Sequence, residues 1–338
     1  MLNFASDYVA LCHPAILARM QQLLESRFPG YGTDAVCAAA REKIRAACRC
    51  PAAEVEFLVG GTQTNATVID ALLRPWQGVV AVESGHVNVH EAGAIEAGGH
   101  KVLALPGKNG KLAASALQAY LEAFWADENC AHMVQPGMVY ISHPTEYGTL
   151  YTAEELHALH KVCWDWEIPL YLDGARLGYG LAAEPTVDLP TIAVCCDAFY
   201  IGGTKVGALL GEAVVLPKPI PHFFTLVKQH GALLAKGALL GLQFDTLFTD
   251  DLYLKISAHA IALARTLRAV LLEKGYPLLI DSPTNQLFPI LENTQLAALE
   301  EKVCCSVWEK VDANHTAIRL ATSWSTTQEE LDALCALL

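Results

Sequence analysis

Two runs decide how this chain is read: Leu170-Tyr171-Leu172-Asp173-Gly174-Ala175-Arg176-Leu177-Gly178 and Ala198-Phe199-Tyr200-Ile201-Gly202-Gly203-Thr204-Lys205-Val206-Gly207. In the first, an acid closes an apolar strand. In the second, a lysine follows an apolar strand in a tight turn bounded by Gly202, Gly203 and Gly207. A solvated surface lysine is not expected there, between apolar strands. Asp173 and Lys205 are therefore expected at the ends of two buried strands, with Arg176 three residues beyond the acid and Thr204 immediately before the lysine.

Outward from these runs, strand and helix patterns alternate. Strands are predicted over residues 55–59, 79–82, 102–105, 138–141, 170–173 and 198–201, with helices over 14–24, 33–48, 62–73, 87–97, 112–125 and 153–166. Pro14 suits the first turn of its helix. Residues 213–216 add a strand in a hairpin-like return. Beyond Pro217 the pattern turns helical over 223–248 and 251–274. Short strands (278–280, 286–290, 317–321) and helices (294–302, 328–337) follow. The expected class is α/β: a large domain over residues 1–250, with an N-terminal arm and a mostly parallel central sheet flanked by helices. A linking helix and a smaller α+β domain are expected over 251–338. The length of 338 residues fits such a division.

Hydrophobic residues make up 53% and charged residues 17%, which predicts a large core and subunit interfaces. A net charge of −13 argues against nucleic acid and anionic membranes as partners. Eleven cysteines, an odd number in a long chain opening Met1-Leu2-Asn3-Phe4-Ala5-Ser6-Asp7 rather than with a basic-then-apolar leader, predict reduced thiols and a cytoplasmic location. Cys48-Arg49-Cys50, Cys195-Cys196 and Cys304-Cys305 lack zinc-site spacing, and His86 and His90 have no evident third ligand, so no metal is expected. No apolar run is long enough to span a bilayer.

A lysine and an acid presented this way suit pyridoxal 5′-phosphate. The lysine forms the Schiff base, and the carboxylate keeps a proton on the pyridine nitrogen so that the ring accepts electrons. Gly60-Gly61-Thr62-Gln63-Thr64-Asn65 stands where a strand hands over to a helix. Its N–H groups and hydroxyls, aided by the helix dipole, would suit the 5′-phosphate, although alone it reads as an ordinary Gly-rich turn. Thr204 could add a phosphate contact. His86, after a strand end, could stack on the ring or move a proton. Arg319, inside the apolar run Ile318-Arg319-Leu320-Ala321, is the usual fork for a carboxylate, with an internal ion pair as the plainer alternative. Ser6-Asp7 on the arm could reach the same place.

This ordered set resembles the low-specificity L-threonine aldolases of the pyridoxal-phosphate-dependent aspartate aminotransferase superfamily, fold type I. The resemblance covers essentially the whole chain: Ser6-Asp7, Gly61-Thr62-x-x-Asn65, His86 with Glu91, Asp173-Gly174-Ala175-Arg176-Leu177, Lys205, and Ile318-Arg319-Leu320-x-Thr322. It implies Lys205 as the cofactor lysine, Asp173 as the partner of the pyridine nitrogen and His86 as the stacking histidine. Gly61, Thr62, Asn65, Arg176 and Thr204 complete the cofactor site, and Ser6, Arg176 and Arg319 hold the substrate carboxylate. It also implies a homodimer or homotetramer. The chain departs from the family at Ile141-Ser142-His143-Pro144-Thr145-Glu146-Tyr147-Gly148-Thr149, where many members carry Glu-Asn-Thr-His-Asn before a Gly-Gly pair, and at Thr322-Ser323 and Thr204-Lys205-Val206.

The expected activity is retro-aldol cleavage of L-threonine, L-allo-threonine and related β-hydroxy-α-amino acids to glycine and an aldehyde. His86 is the first candidate for the base, with Glu91 or a water as alternatives. A β-eliminating lyase or an aminotransferase acting on a small amino acid is the alternative within the fold, and an oligomeric scaffold the alternative outside catalysis. A nicotinamide enzyme is disfavoured, because no GxGxxG follows the first strand.

Overall fold

The computed structural model describes residues 1–184 and 186–338. Its strands are β1 (Leu2–Asn3), β2 (Glu54–Leu58), β3 (Gln77–Val82), β4 (Lys101–Leu105), β5 (Gln135–Ser142), β6 (Leu170–Asp173), β7 (Ala198–Gly202) and β8 (Glu212–Leu216). The C-terminal segment adds β9 (Gln286–Leu287), β10 (Ile290–Glu292), β11 (Val303–Cys304), β12 (Ser306–Lys310) and β13 (His315–Ala321). Seven of them form one sheet in the order β2-β8-β7-β6-β5-β3-β4. Pairing is parallel from β7 through β4, and β8 alone runs against its neighbours. The α/β reading with a mostly parallel sheet holds.

The sequence forms this sheet because its strands are apolar along their length. Every residue of β6, β7 and β8 is buried, as expected where helices cover both faces. Separate apolar clusters fill the two faces: Ile44, Val55, Leu159 and Phe199 on one, and Val68, Tyr140, Tyr171 and Val214 on the other. The covering helices start on clear signals. Asp34 accepts from the Cys37 N–H, and Thr152 with Glu155 and Thr327 with Glu330 form reciprocal caps.

The C-terminal segment makes a second sheet in the order β10-β13-β12, with β9 also paired to β13, all antiparallel. The N-terminal arm is tied to this segment. β1 pairs in parallel with β11, and the Ala321 N–H donates to the Phe4 carbonyl. That tether brings Asp7 within hydrogen-bond reach of Arg176, just past the end of β6.

Several expected elements differ. The helix predicted over 87–97 is two short ones, His86–Val89 and Ala94–Ala97, because Ala92 and Gly93 adopt φ values of 52° and 72°. The 223–248 stretch divides into Phe223–Gln229 and Ala238–Leu247, with Gly231 at φ 68° ending the first. Residues 278–280 form no strand, and only Leu278 bridges, to Pro289. The 286–290 strand is split into β9 and β10. β1, β11, β12 and the helices Leu177–Ala183 and Leu189–Cys195 escaped sequence reading. Two-residue strands carry no periodicity, and Ser306-Val307-Trp308-Glu309-Lys310 is half polar because it lies at the edge of its sheet.

Candidate active site at the carboxyl edge of the sheet

All strands of the large sheet except β8 end on one edge, and a cavity of about 880 Å³ opens there. That edge is where open α/β sheets place ligands. Asp173, the last residue of β6, is 4% exposed and fully committed to hydrogen bonds. Its Oδ2 accepts from the Tyr140 hydroxyl at 2.7 Å and Asn65 Nδ2 at 3.0 Å. Its Oδ1 accepts from the Tyr200 hydroxyl and, at 2.9 Å, from the Ala175 N–H. Burial alone would raise its pKa. The field of His86 and the bonds from Tyr200, Asn65 and Tyr140 outweigh that and hold the carboxyl below its usual value. Asp173 is therefore a fixed negative charge on the cavity floor.

Lys205 lies on the turn after β7 and faces the same cavity. Desolvation, seconded by the charge of Arg176, lowers its amine to about 8, while Asp7, Asp173 and Glu212 pull the other way. Its carbonyl accepts from the Tyr179 hydroxyl at 2.7 Å, which pins the backbone.

His86 begins the short helix after β3. Its Nδ1 is 2.8 Å from Glu91 Oε1, and that oxygen also accepts from Asn65 Nδ2 at 2.7 Å. Asn65 thus joins the His86–Glu91 pair to Asp173, and the Tyr171 hydroxyl donates to its Oδ1 at 2.8 Å. The Ala92–Gly93 break in the expected helix ends the segment that carries Glu91 into this network. Glu146 approaches from another side. Its Oε1 accepts from Ser142 Oγ at 2.6 Å and the His86 N–H at 2.9 Å, while its Oε2 is buried without a partner. Burial, the leading influence, raises the Glu146 carboxyl. His143, by contrast, is buried off the cavity. It accepts from the Tyr151 N–H, and desolvation lowers it to about 4.

The helix Gly61–Leu72 points its N-terminus at the cavity with no side-chain cap, so Gly60, Gly61 and Thr62 offer an uncovered N-terminus to an anion. A Cβ at Gly61 would sit 3.2 Å from the Tyr200 hydroxyl, so the backbone approach there suits glycine. Asn65, expected at this cup, instead serves the floor. The Thr204 hydroxyl, expected toward the anion, donates to Glu212 Oε1 at 2.9 Å.

Two arginines border the same cavity. Arg176 grips Asp7 with Nε at 2.6 Å and a second nitrogen at 3.1 Å, and Asn285 also donates to Asp7. Arg319 meets only neutral acceptors: the Ala5 carbonyl at 2.8 Å, Gln286 Oε1 at 3.2 Å and Ser306 Oγ at 3.4 Å. Its Nε is buried and unpartnered. The internal ion pair that would have been the plain account of Arg319 is not present among the described residues. Its guanidinium lies over Trp308.

Gly61, Thr62, Asn65, His86, Glu91, Asp173, Arg176, Thr204, Lys205 and Arg319 all border this one cavity, whereas Ser6 is buried beside it without lining it. Sequence reading missed Tyr140, Tyr200, Glu212 and Trp308 as site residues. A signal existed for the tyrosines. Three neighbouring strands each carry a tyrosine third from the end (Tyr140, Tyr171 and Tyr200), too regular for simple core filling.

The architecture and this edge define a fold type I pyridoxal-phosphate enzyme as the class of fold. A histidinol-phosphate aminotransferase from Clostridium acetobutylicum superimposes with a TM-score of 0.76 at 12% identity, covering 100% of this chain and 98% of that one, a likeness of fold alone. The solved threonine aldolase of Leishmania major is far nearer: TM-score 0.95 and 40% identity over 100% of this chain and 98% of that chain. The low specificity L-threonine aldolase of a Pseudomonas strain is 29% identical over 307 residues, 89% of this chain and 87% of that protein. Residues 3–303 match the beta-eliminating lyase family. The chain belongs to that family, in its threonine-aldolase branch.

Proposed function

We propose that this protein is a pyridoxal-phosphate-dependent aldehyde-lyase that cleaves L-threonine, L-allo-threonine and related β-hydroxy-α-amino acids to glycine and an aldehyde. The observation that carries this reading is that Lys205, an amine lowered to about 8, and the ionised Asp173 border one cavity together with Arg319, which pairs with no carboxylate among the described residues. The likeness to threonine aldolases supports the substrate class.

The cavity's donors fit the cofactor. The uncapped helix at Gly61-Thr62 suits a phosphate, Asp173 suits a protonated ring nitrogen, and Lys205 suits an aldehyde. When bound, pyridoxal phosphate supplies the electron sink for the pair released as Cα–Cβ breaks. Lys205 would hold the cofactor, its amine supplying the nucleophile for the cofactor's aldehyde. Asp173, held by four donors, would keep a proton on the ring nitrogen. Arg319 takes the substrate carboxylate, with Arg176 beside it and Ser6 behind on the arm, and so sets which bond at Cα stands ready to break. His86 would lie against the ring and take the β-hydroxyl proton. Glu91, on its Nδ1, leaves Nε2 for that task.

The exposed apolar side chains Tyr8, Leu11, Leu17 and Leu24 support a homodimer or homotetramer. A division into residues 1–250 and 251–338 follows the two sheets. Eleven free cysteines support a cytoplasmic setting. No helix among the described residues is long and apolar enough to cross a membrane.

The test is acetaldehyde and glycine formation from L-threonine and L-allo-threonine with added cofactor, beside Lys205→Ala. Release lost in the variant is the expected result. An oxo acid in place of glycine and aldehyde would move the reading to elimination or transamination.

A further inference from the structure

β8 is the reversed strand of the large sheet, and the reversal brings its first residue, Glu212, to the edge where the other strands end. Its register partners are Leu58, which closes β2 ahead of the Gly60-Gly61-Thr62 turn, and Gly202, which closes β7 ahead of Lys205. Glu212 is 3% exposed and borders the cavity. Its oxygens are divided between two donors: Oε2 accepts from the Gly203 N–H at 2.9 Å, and Oε1 from the Thr204 hydroxyl at 2.9 Å. Thr204 Oγ1 in turn accepts from the Gly211 N–H at 3.1 Å, and the Gly211 carbonyl accepts from the N–H groups of Gly203 and Thr204. The two residues before Lys205 are thus clasped to β8.

A neutral side chain could close such a clasp. A carboxyl is costly here, because no basic side chain lies within ion-pair distance of it among the described residues. An ionisable group here therefore calls for a role beyond the tie, and Lys205, which borders the same cavity, supplies one. We propose that Glu212 is a positioning residue for Lys205: it fixes Gly203 and Thr204 ahead of the lysine and, in its ionised form, provides a counter-charge for the enclosed ammonium. The proposal rests on reading Lys205 as the cofactor lysine.

The charges around the pair are few. Lys205 faces Arg176, Asp7, Asp173 and Glu212, and Glu212 faces Lys205 and Asp173, with the buried hydroxyls of Tyr171, Tyr200 and Tyr253 in its field. Burial lifts Glu212 to about 8, against the bonds from Thr204 and Gly203 and the field of Lys205. The two groups therefore titrate in one range, as a coupled pair.

The test uses the full-length, cofactor-free protein. Lys205 is acetylated with acetic anhydride across a pH series and its peptide is quantified by mass spectrometry. Cofactor affinity and thermal midpoint are measured alongside. In Glu212→Gln the amide oxygen can still accept from Gly203 and the NH₂ can donate to Thr204 Oγ1, so the charge goes while the clasp stays. The labelling midpoint of Lys205 is expected to fall by about one unit, because an opposite charge has been removed from a cation. Thr204→Val keeps the charge and cuts the clasp. It is expected to weaken pyridoxal-phosphate binding about tenfold, the worth of one buried hydrogen bond. An unmoved midpoint in a folded Glu212→Gln protein overturns the counter-charge, and unaltered affinity in Thr204→Val overturns the positioning. If Glu212→Gln does not fold, as its thermal midpoint will tell, Thr204→Val decides. A wild-type chain that takes up no pyridoxal phosphate would overturn the proposed function, whereas the labelling shift is read without the cofactor.

Discussion

The floor of the cavity and its rim are built on opposite plans. On the floor, Asp173 has both oxygens saturated by donors from β5, β7, the helix after β2 and its own turn. On the rim, Arg319 is half-buried with neutral partners and one buried, idle nitrogen, and desolvation with the nearby Arg176 lowers its pKa. The floor is finished before anything binds, while the rim retains an unspent positive charge. A group that must hold one charge throughout a reaction gains from full prior satisfaction. A group that must bind and release an anion gains from leaving a donor open.

The largest effect should come from breaking the floor. Asp173→Asn keeps the shape but turns one acceptor oxygen into a donor facing other donors, and removes the fixed charge. We expect kcat to fall on the order of 10³-fold with the protein still folded. A loss under tenfold in steady-state assays would mean that the floor charge is not used in the reaction.

The two arginines sharpen the comparison next, because they should fail differently. Arg319→Met should raise KM for threonine about thirtyfold, the worth of about 2 kcal/mol in charge-assisted hydrogen bonds, with little change in thermal midpoint. Arg176→Met strips a buried carboxylate, Asp7, of its bidentate partner and should cost about 3 kcal/mol of stability in denaturant titration. Equal behaviour of the two variants would remove the distinction between a spent and an unspent cation.

Between floor and rim stands His86. Glu91→Gln leaves a neutral group on Nδ1 and should lower kcat roughly ten- to a hundredfold with KM nearly unchanged. A variant that loses cofactor instead would make Glu91 part of the floor, through Asn65.

This contrast also accounts for what could be read from the sequence. Asp173 and Lys205 stood out because each follows an apolar strand, and a strand's end fixes where its next residue points. The rim could not be resolved that way. Arg176 and Arg319 looked alike, since the partner that separates them, Asp7, lies 169 residues from Arg176 on an arm placed by a two-residue strand. Asn65 was placed at the anion turn by its spacing. Its contacts with Glu91 and Asp173 depend on which face of a buried helix meets β6, and no local pattern encodes that. Glu212 reads as the polar start of an ordinary strand, and only the reversal of β8 makes it a neighbour of the lysine.

The smallest predicted effect concerns the lysine that joins the two regions. An unperturbed lysine near 10.5 is almost wholly protonated at neutral pH, whereas one lowered to about 8 keeps about a tenth of its amines neutral. The depression raises the neutral, nucleophilic fraction by roughly two orders of magnitude at pH 7, through burial first and Arg176 second. The sign follows: below about 8 each unit of acidification should slow capture of pyridoxal phosphate by the cofactor-free protein about tenfold, and above it the rate should level off. Stopped-flow absorbance at fixed cofactor concentration reads this directly. A rate still climbing steeply at pH 10 would put Lys205 near its unperturbed value, and the enclosed floor would then have no hold on the amine beside it.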